Sequence, residues 1–147
     1  MFGDDNLSEE ANKMLEQWRA LREDLEARKQ ALGGKDLSNL KLMEAQFHDA
    51  NLAEADLSGA YLIRANLARA DLTEADLTGA VLAEADLKGA NLKDAELMDA
   101  WLNGADLTGA LNLTCDQIEL ANLDRETRLP DYLKITWTSD TEFTCCE

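Results

Sequence analysis

The chain has 147 residues, enough for one folded unit with appendages, and its 30 acidic and 14 basic side chains give a formal net charge of −16. That charge argues against direct nucleic-acid binding, because contacts to phosphates need lysine and arginine. The single histidine, His48, excludes metal sites that need two imidazoles and leaves no second histidine for a catalytic dyad.

Membrane insertion and export are not indicated by the sequence. No apolar run approaches the roughly 18 residues that cross a bilayer. The first residues, Met1 to Asp5, lack the basic start and apolar stretch of a signal peptide. We therefore expect a cytoplasmic protein without a membrane partner, unless an upstream segment has been removed.

An amphipathic helix is predicted for the N-terminal segment, residues 1–34. Ser8 is a suitable N-cap, and Gly33 and Gly34 form a stop about 25 residues later. Apolar residues recur four and three apart, interrupted only at Arg28: Leu7, Ala11, Met14, Trp18, Leu21, Leu25 and Leu32. Two uses of Met14, Trp18, Leu21 and Leu25 remain open, namely packing on the rest of the chain and self-association as a homodimer through heptads.

The next segment, residues 35–112, repeats every five residues. Large apolar residues occupy fifteen centres, at Leu37, Leu42, Phe47, Leu52 and then every fifth position through Leu107, and alanine precedes most centres by two positions. A helix would scatter positions five apart around its axis, and a flat strand would place them on opposite faces. All the centres can be buried only if the chain turns once per unit, which is a solenoid with a continuous core.

These Ala-(Asp/Asn)-Leu-x-x units resemble the pentapeptide-repeat family over about half of the chain. The resemblance implies an all-β solenoid, a right-handed quadrilateral β-helix with twenty residues in each of about four coils. Gly59 and Gly79 are twenty residues apart, as are Gly89 and Gly109. This longer period agrees with the implied coil.

One column of the implied solenoid departs from the repeat. The residue before each centre should point outward and is usually Asp or Asn, but Tyr61, Val81 and Trp101 replace it at intervals of twenty. Met43 and Ile63 fall on the same side. Three interpretations remain open: the N-terminal helix covers this stripe, a partner or second protomer binds it, or it has no role.

A short helical cap is predicted for residues 113–133. Thr114 and Gln117 match a capping box, so a helix should run to about Ala121 or Asn122. Such a cap covers an edge that would otherwise pair with another chain. Residues 134–147 contain few apolar side chains, and we expect a loosely ordered tail.

The search for chemistry returns few candidates. Asp36, Asp56, Asp76 and Glu96 share a column, but they lack the convergent oxygens that calcium prefers, so a solvated face is the better interpretation. The five glycines two residues after a centre are expected at tight turns. We predict no catalytic residue, metal site or cofactor, and His48 is expected to face solvent.

The chain has three cysteines, Cys115, Cys145 and Cys146. Reduced, silent thiols are the default interpretation for an intracellular protein. The adjacent pair in the tail could instead bind a soft metal, or one member could form a disulfide with Cys115.

We therefore expect a non-enzymatic protein-interaction or structural module that presents a rigid acidic surface to an unidentified protein partner. An alternative also follows from the resemblance. Some pentapeptide-repeat proteins resemble B-DNA in shape and charge and occupy the DNA-binding saddle of type II topoisomerases, which would make this chain an inhibitor or protector of gyrase.

Overall fold

The computed structural model describes residues 8–146. It contains helix α1 at Glu9–Ala27, a 3-10 turn at Lys29–Ala31, helix α2 at Cys115–Glu119, and strands β1 at Lys134–Trp137 and β2 at Phe143–Cys146. The five-residue repeats lie between the turn and α2. Leu7 and the Met1–Asp5 segment considered above lie outside the described residues.

The repeats wind into a four-sided solenoid whose successive coils pair in parallel. From Asp36 to Asn91, each residue before a centre forms a bridge with the residue twenty positions further on, as in the series Lys41, Tyr61, Val81 and Trp101. The Tyr61 N–H donates to the Leu40 carbonyl at 2.9 Å, and the Leu62 N–H donates to the Val81 carbonyl at 2.8 Å. Bonds in both directions therefore join every coil to its neighbours.

The corners explain why the chain can turn every five residues. All fifteen residues two positions after a centre, from Asn39 to Gly109, have φ between +56° and +70°. Glycine adopts this left-handed conformation without strain, but ten of these corners carry Asn, Asp, Glu or Arg instead. The repeat therefore imposes a conformation that these side chains alone would not select.

The core is a narrow column of leucine and alanine. The centres from Leu37 to Leu107 and the alanines at every fifth position from Ala45 to Ala110 are at most 5% exposed, and Phe47 is the one aromatic centre. Leu25 and Leu32 extend this cluster at the N-terminal end, and Leu113, Ile118 and Leu133 extend it at the other. Burial of this apolar surface, which stabilises the fold by about 25 cal/mol per Å², is the main source of stability.

Helix α1 is shorter than the sequence predicts. Its first turn is capped as expected, because the Ser8 hydroxyl accepts from the Ala11 N–H. The helix stops at Ala27, well before the glycine pair. The Lys29 carbonyl accepts from the Asn51 N–H at 2.9 Å, so the backbone has already joined the first coil at this point and cannot continue as a helix.

The C-terminal cap continues the hydrogen bonding of the last coil. The capping box of Thr114 and Gln117 is present, and the Gln117 side-chain amide also donates to the Leu92 and Ala95 carbonyls. Helix α2 ends at Glu119 and not near Ala121, because the Leu120 carbonyl accepts from the Asp99 N–H at 2.9 Å. The chain returns to the solenoid ladder sooner than the sequence suggests.

The tail is not loosely ordered as predicted. Strands β1 and β2 form an antiparallel hairpin in which Lys134 pairs with Cys146 and Trp137 with Phe143. The Arg125 guanidinium lies 5.0 Å from the centre of the Trp137 ring, and a disulfide joins Cys115 to Cys145. The few apolar residues of the tail are therefore concentrated where the hairpin meets the cap.

Candidate interaction face

We define the aromatic face as the side of the solenoid formed by residues 41–44, 61–64, 81–84 and 101–104. Parallel bridges stack Lys41, Tyr61, Val81 and Trp101 in one column. Tyr61 is 37% exposed and Trp101 is 48% exposed, while Val81 is half-buried between them. The structure thus brings the predicted stripe together, with Met43 and Ile63 half-buried beside it.

The aromatic face lacks a hydrogen bond that recurs on the other three sides. There, the Asp or Asn before a centre accepts from the backbone N–H two residues later, which holds the turn. The Asp56 carboxylate, for example, accepts from the Ser58 N–H at 3.0 Å. Nine residues make this bond: Asp36, Asn51, Asp56, Asn66, Asp71, Asp76, Asp86, Asn91 and Asp106.

None of the four residues in the aromatic column can replace that acceptor. The valine side chain has no polar atom, lysine and tryptophan only donate, and the tyrosine hydroxyl lies at the far end of its ring. All four units on this side therefore lack the local bond that stabilises the repeat elsewhere. Sequence reasoning identified the stripe but missed this bond, although Asp or Asn followed by Ser or Thr two residues later is a recognisable signal for it.

The charges of the aromatic face balance one another. Arg64 forms ion pairs with Glu44 at 3.0 Å and with Glu84 at 3.8 Å, all three being side chains of neighbouring coils. The Lys41 ammonium lies 3.5 Å from the centre of the Tyr61 ring, a cation–π contact. Two acidic and two basic side chains make this side neutral within a chain of net charge −16.

We define the acidic face as the adjacent side formed by residues 36–39, 56–59, 76–79 and 96–99. It has five acidic residues and no basic one. The Ser38 hydroxyl and N–H both donate to Asp36, and these bonds hold the pKa of that carboxyl below its ordinary value. Hydrogen bonding therefore favours the charged form of Asp36 even in an acidic column.

Helix α1 meets only one end of the aromatic face. The Arg22 guanidinium donates to the Met43 carbonyl at 3.2 Å. Beside this contact lies an open groove of about 690 Å³, which is lined by residues of the helix and of the first coil: Asn12, Leu15, Glu16, Trp18, Arg19, Arg22, Lys41, Met43 and Glu44. Since Tyr61 and Trp101 stay exposed, the interpretation in which the helix covers the whole stripe is wrong.

The predicted helix stripe is divided between two environments. Leu25 is buried against the first coil and Trp18 is half-buried, whereas Met14 and Leu21 are exposed. Leu15 is also exposed and lies outside the heptad positions that the sequence suggests. The N-terminal half of α1 therefore keeps apolar surface that the rest of the described chain does not bury.

A second apolar patch continues the aromatic face around a corner. Met98 and Leu120 are 50% and 53% exposed and line a shallow cleft together with Leu97. The Leu120 carbonyl accepts from the Asp99 N–H, two residues before Trp101. The sequence reasoning missed these residues, because Leu120 belongs to the cap and joins the solenoid only through its backbone.

The remaining predicted positions do not assemble a reactive site. Cys115 and Cys145 are oxidised, so the default of three reduced thiols is wrong for this pair, while Cys146 is a free, exposed thiol. His48 is half-buried, contrary to the expectation of a solvent-facing ring, and its Nδ1 has no hydrogen-bond partner among the described residues.

Two kinds of feature are absent from residues 8–146. No group of three or more His, Cys, Asp or Glu side chains is arranged to hold a metal ion. No helix in the same range is long and apolar enough to cross a membrane.

Comparisons with known proteins agree with this architecture. Residues 41–79 and 70–109 match the family described as Pentapeptide repeats (8 copies). No curated protein sequence matches the chain significantly.

Several solved structures are also similar. The pentapeptide-repeat protein Rfr23 from the cyanobacterium Cyanothece 51142 is 38% identical over 61% of this chain and 64% of its own, with a TM-score of 0.46. Protein alr5209 from Nostoc Pcc 7120 is 28% identical over 76% of this chain and 84% of its own, with a TM-score of 0.40. QnrB1, a plasmid-mediated fluoroquinolone resistance protein, is 24% identical over 68% of this chain, with a TM-score of 0.57.

These matches define the class of the fold, a right-handed β-helix solenoid. The chain belongs to the pentapeptide-repeat family, as its five-residue units predict, and this prediction is confirmed. The matched region spans under two thirds of the Rfr23 chain and 50% of the QnrB1 chain. At 24% identity, the likeness to QnrB1 concerns the fold alone.

Proposed function

We propose that this protein is a non-enzymatic interaction module whose contact surface is the aromatic face. The observation that carries the proposal is the column of Lys41, Tyr61, Val81 and Trp101, in which every coil lacks the turn-holding hydrogen bond found nine times elsewhere. A hydrogen bond of this kind contributes about 0.5–1.5 kcal/mol. Departures from a local rule that stabilises the fold are expected at functional sites.

The proposed module is a short, rigid rod. The fifteen units amount to just under four coils, or about 18 Å at the usual strand spacing, with α1 across one end and the helical cap at the other. Parallel pairing along the whole length resists bending. Such a rod holds Tyr61 and Trp101 two coils apart with little loss of side-chain entropy on binding.

The chemistry of the face indicates the kind of surface that it fits. Half-exposed Tyr and Trp side chains are the residues that most often dominate binding energy at protein interfaces. The balanced ion pairs around Arg64 favour a partner with apolar groups and charges of both signs, whereas the acidic face repels acidic surfaces. We therefore propose a protein partner and no direct binding to nucleic acid.

Affinity capture from the source organism tests the proposal with three forms of the chain. Trp101→Asp removes the aromatic group and supplies the missing acceptor for the turn, so it should fold and lose the partner. Leu111→Asp is the matched control, because Leu111 continues the outward column of Asn51, Asp71 and Asn91 on the opposite side of the solenoid and is 52% exposed. Equal capture by the wild type and Trp101→Asp would refute the proposal.

The second candidate function is mimicry of DNA at a type II topoisomerase. It is supported by the acidic face, where carboxylates repeat once per coil along the rod without an opposing basic residue. The assay is supercoiling by purified gyrase, and the candidate requires inhibition or protection at micromolar concentrations of this protein. A lack of any effect on gyrase would leave the interaction module as the remaining function.

A further inference from the structure

The groove between α1 and the first coil lies at one end of the aromatic face, and Trp101 lies at the other. We propose that the occupant of this groove is Trp101 of a second copy of the chain, so that two aromatic faces pack together in an antiparallel dimer. This inference rests on the proposed function, since it names a partner for the same face.

The spacing of the column supports this symmetry. Bridges place Lys41, Tyr61, Val81 and Trp101 on consecutive coils, one strand spacing apart. A twofold axis that crosses the face midway between Tyr61 and Val81 brings Lys41 opposite Trp101 of the second copy, and Tyr61 opposite its Val81. Each contact then occurs twice, as an isologous interface requires.

The charges match under the same operation. Arg64 of one copy lies opposite Glu84 of the other, and the reverse pair is equivalent. Glu44 lies opposite Gly104, so no two like charges meet in this column. With parallel rods, the twofold axis would run along the rods, so Arg64 would lie opposite Tyr61 and Lys41 opposite Glu44. The Arg64–Glu84 contacts would then be lost, and Trp101 would lie opposite Gly104 and away from the groove. The position of the groove and the Arg64–Glu84 contacts together select the antiparallel arrangement.

The groove supplies what a tryptophan side chain needs. Leu15, Trp18 and Met43 provide apolar walls, and Lys41 and Arg19 provide cations that can lie over an indole ring. The exposed Met14 and Leu15 of α1 enlarge the contact beyond the four coils. The charges of the aromatic face sum to zero, so two copies can approach on this side without strong repulsion.

The face of a four-coil rod is smaller than a standard interface of about 800 Å² per partner, so we expect a dimer of micromolar affinity. Sedimentation velocity from about 5 to about 500 µM covers this range. The wild type should shift from monomer to dimer over it. Trp101→Asp should weaken association at least about 30-fold, and Leu111→Asp should dimerise as the wild type does.

A mixing experiment tests the antiparallel register itself. Arg64→Glu and Glu84→Arg should each weaken self-association about tenfold, because each places like charges opposite one another. An equimolar mixture of the two variants should associate as the wild type does, because both reciprocal contacts then join opposite charges. These side chains are more than half exposed in the monomer, so thermal unfolding should show that both variants fold.

Three results would overturn the dimer: a wild type that stays monomeric throughout this range, undiminished association of Trp101→Asp, or no recovery in the mixture. The first result leaves the proposed function testable on its own, because capture of another protein would still depend on Trp101. Loss of that dependence as well would remove both proposals.

Discussion

The acidic and aromatic faces share a corner of one solenoid and rest on one continuous leucine core, but they differ in the residue before each centre. On the acidic face Asp36, Asp56 and Asp76 fold back to hold their own turns. On the aromatic face the corresponding residues cannot accept that bond and remain partly exposed. Both faces nevertheless keep the same inter-coil ladder.

This difference shows that the residues that form the fold are distinct from those that determine the chemistry of its surface. The ladder and the core define the backbone on every side, so the outward position is free to vary. Where it is Asp or Asn, it adds to stability and to solubility. Where it is Tyr, Val or Trp over consecutive coils, neither benefit follows, and we propose contact with another molecule as the reason.

The largest effect is expected from truncating the leucine core, which the two faces share. Leu77 and Leu82 are fully buried centres beneath the acidic and aromatic faces, respectively. Leu77→Ala and Leu82→Ala should each lower the free energy of unfolding by about 2–5 kcal/mol, and by similar amounts, because each leaves a cavity in the same column. Urea unfolding measures both, and a large inequality would show that the two faces do not rest on one uniform core.

An intermediate effect is expected from substitutions of the outward residue before a centre. Asp56→Ala should lower the free energy of unfolding by about 1 kcal/mol, because the Ser58 N–H and hydroxyl lose their acceptor. Val81→Asp should change stability by less than about 0.5 kcal/mol or raise it, since the new carboxylate can hold the turn of Ala83. Opposite results for the two variants in urea unfolding would contradict the comparison.

The smallest effect concerns pH. The Ser38 hydroxyl and N–H lower the pKa of Asp36 in the folded protein below its ordinary value of 3.8, so protonation favours the unfolded chain. The resulting stabilisation is present above that value and is lost as the pH falls through the lower folded value. Asp36→Asn keeps an acceptor without the charge. The free energy of unfolding of this variant should therefore be measurably lower than that of the wild type near pH 6 and equal to it near about pH 2. A difference that does not change with pH would exclude this account.

Much of the solenoid could be predicted from the five-residue period, because burying every leucine centre requires one turn per unit. The cap at Ser8 and the box at Thr114 and Gln117 also follow from short-range rules. The lengths of α1 and α2 do not follow from such rules. Both helices end where a backbone carbonyl is taken up by the solenoid ladder, at Lys29 and Leu120, and no local signal marks those residues.

The stacked column of the candidate site was predictable from the sequence, but the groove beside it was not. A twenty-residue interval stacks Tyr61, Val81 and Trp101 whatever the details of the coil. The groove depends on where α1 crosses the first coil, and the disulfide depends on how the hairpin folds over α2, which are contacts between segments of different periodicity. Sequence spacing has no information about such contacts.

The most direct test of the central claim is the free energy of unfolding of Trp101→Asp, measured in urea on the monomer at low protein concentration. If the aromatic face exists for contact and not for stability, the variant should match the wild type within about 0.5 kcal/mol, because the lost packing of a half-exposed ring is offset by the new turn bond. A loss of more than about 2 kcal/mol would show that Trp101 is part of the folded core and would contradict the account.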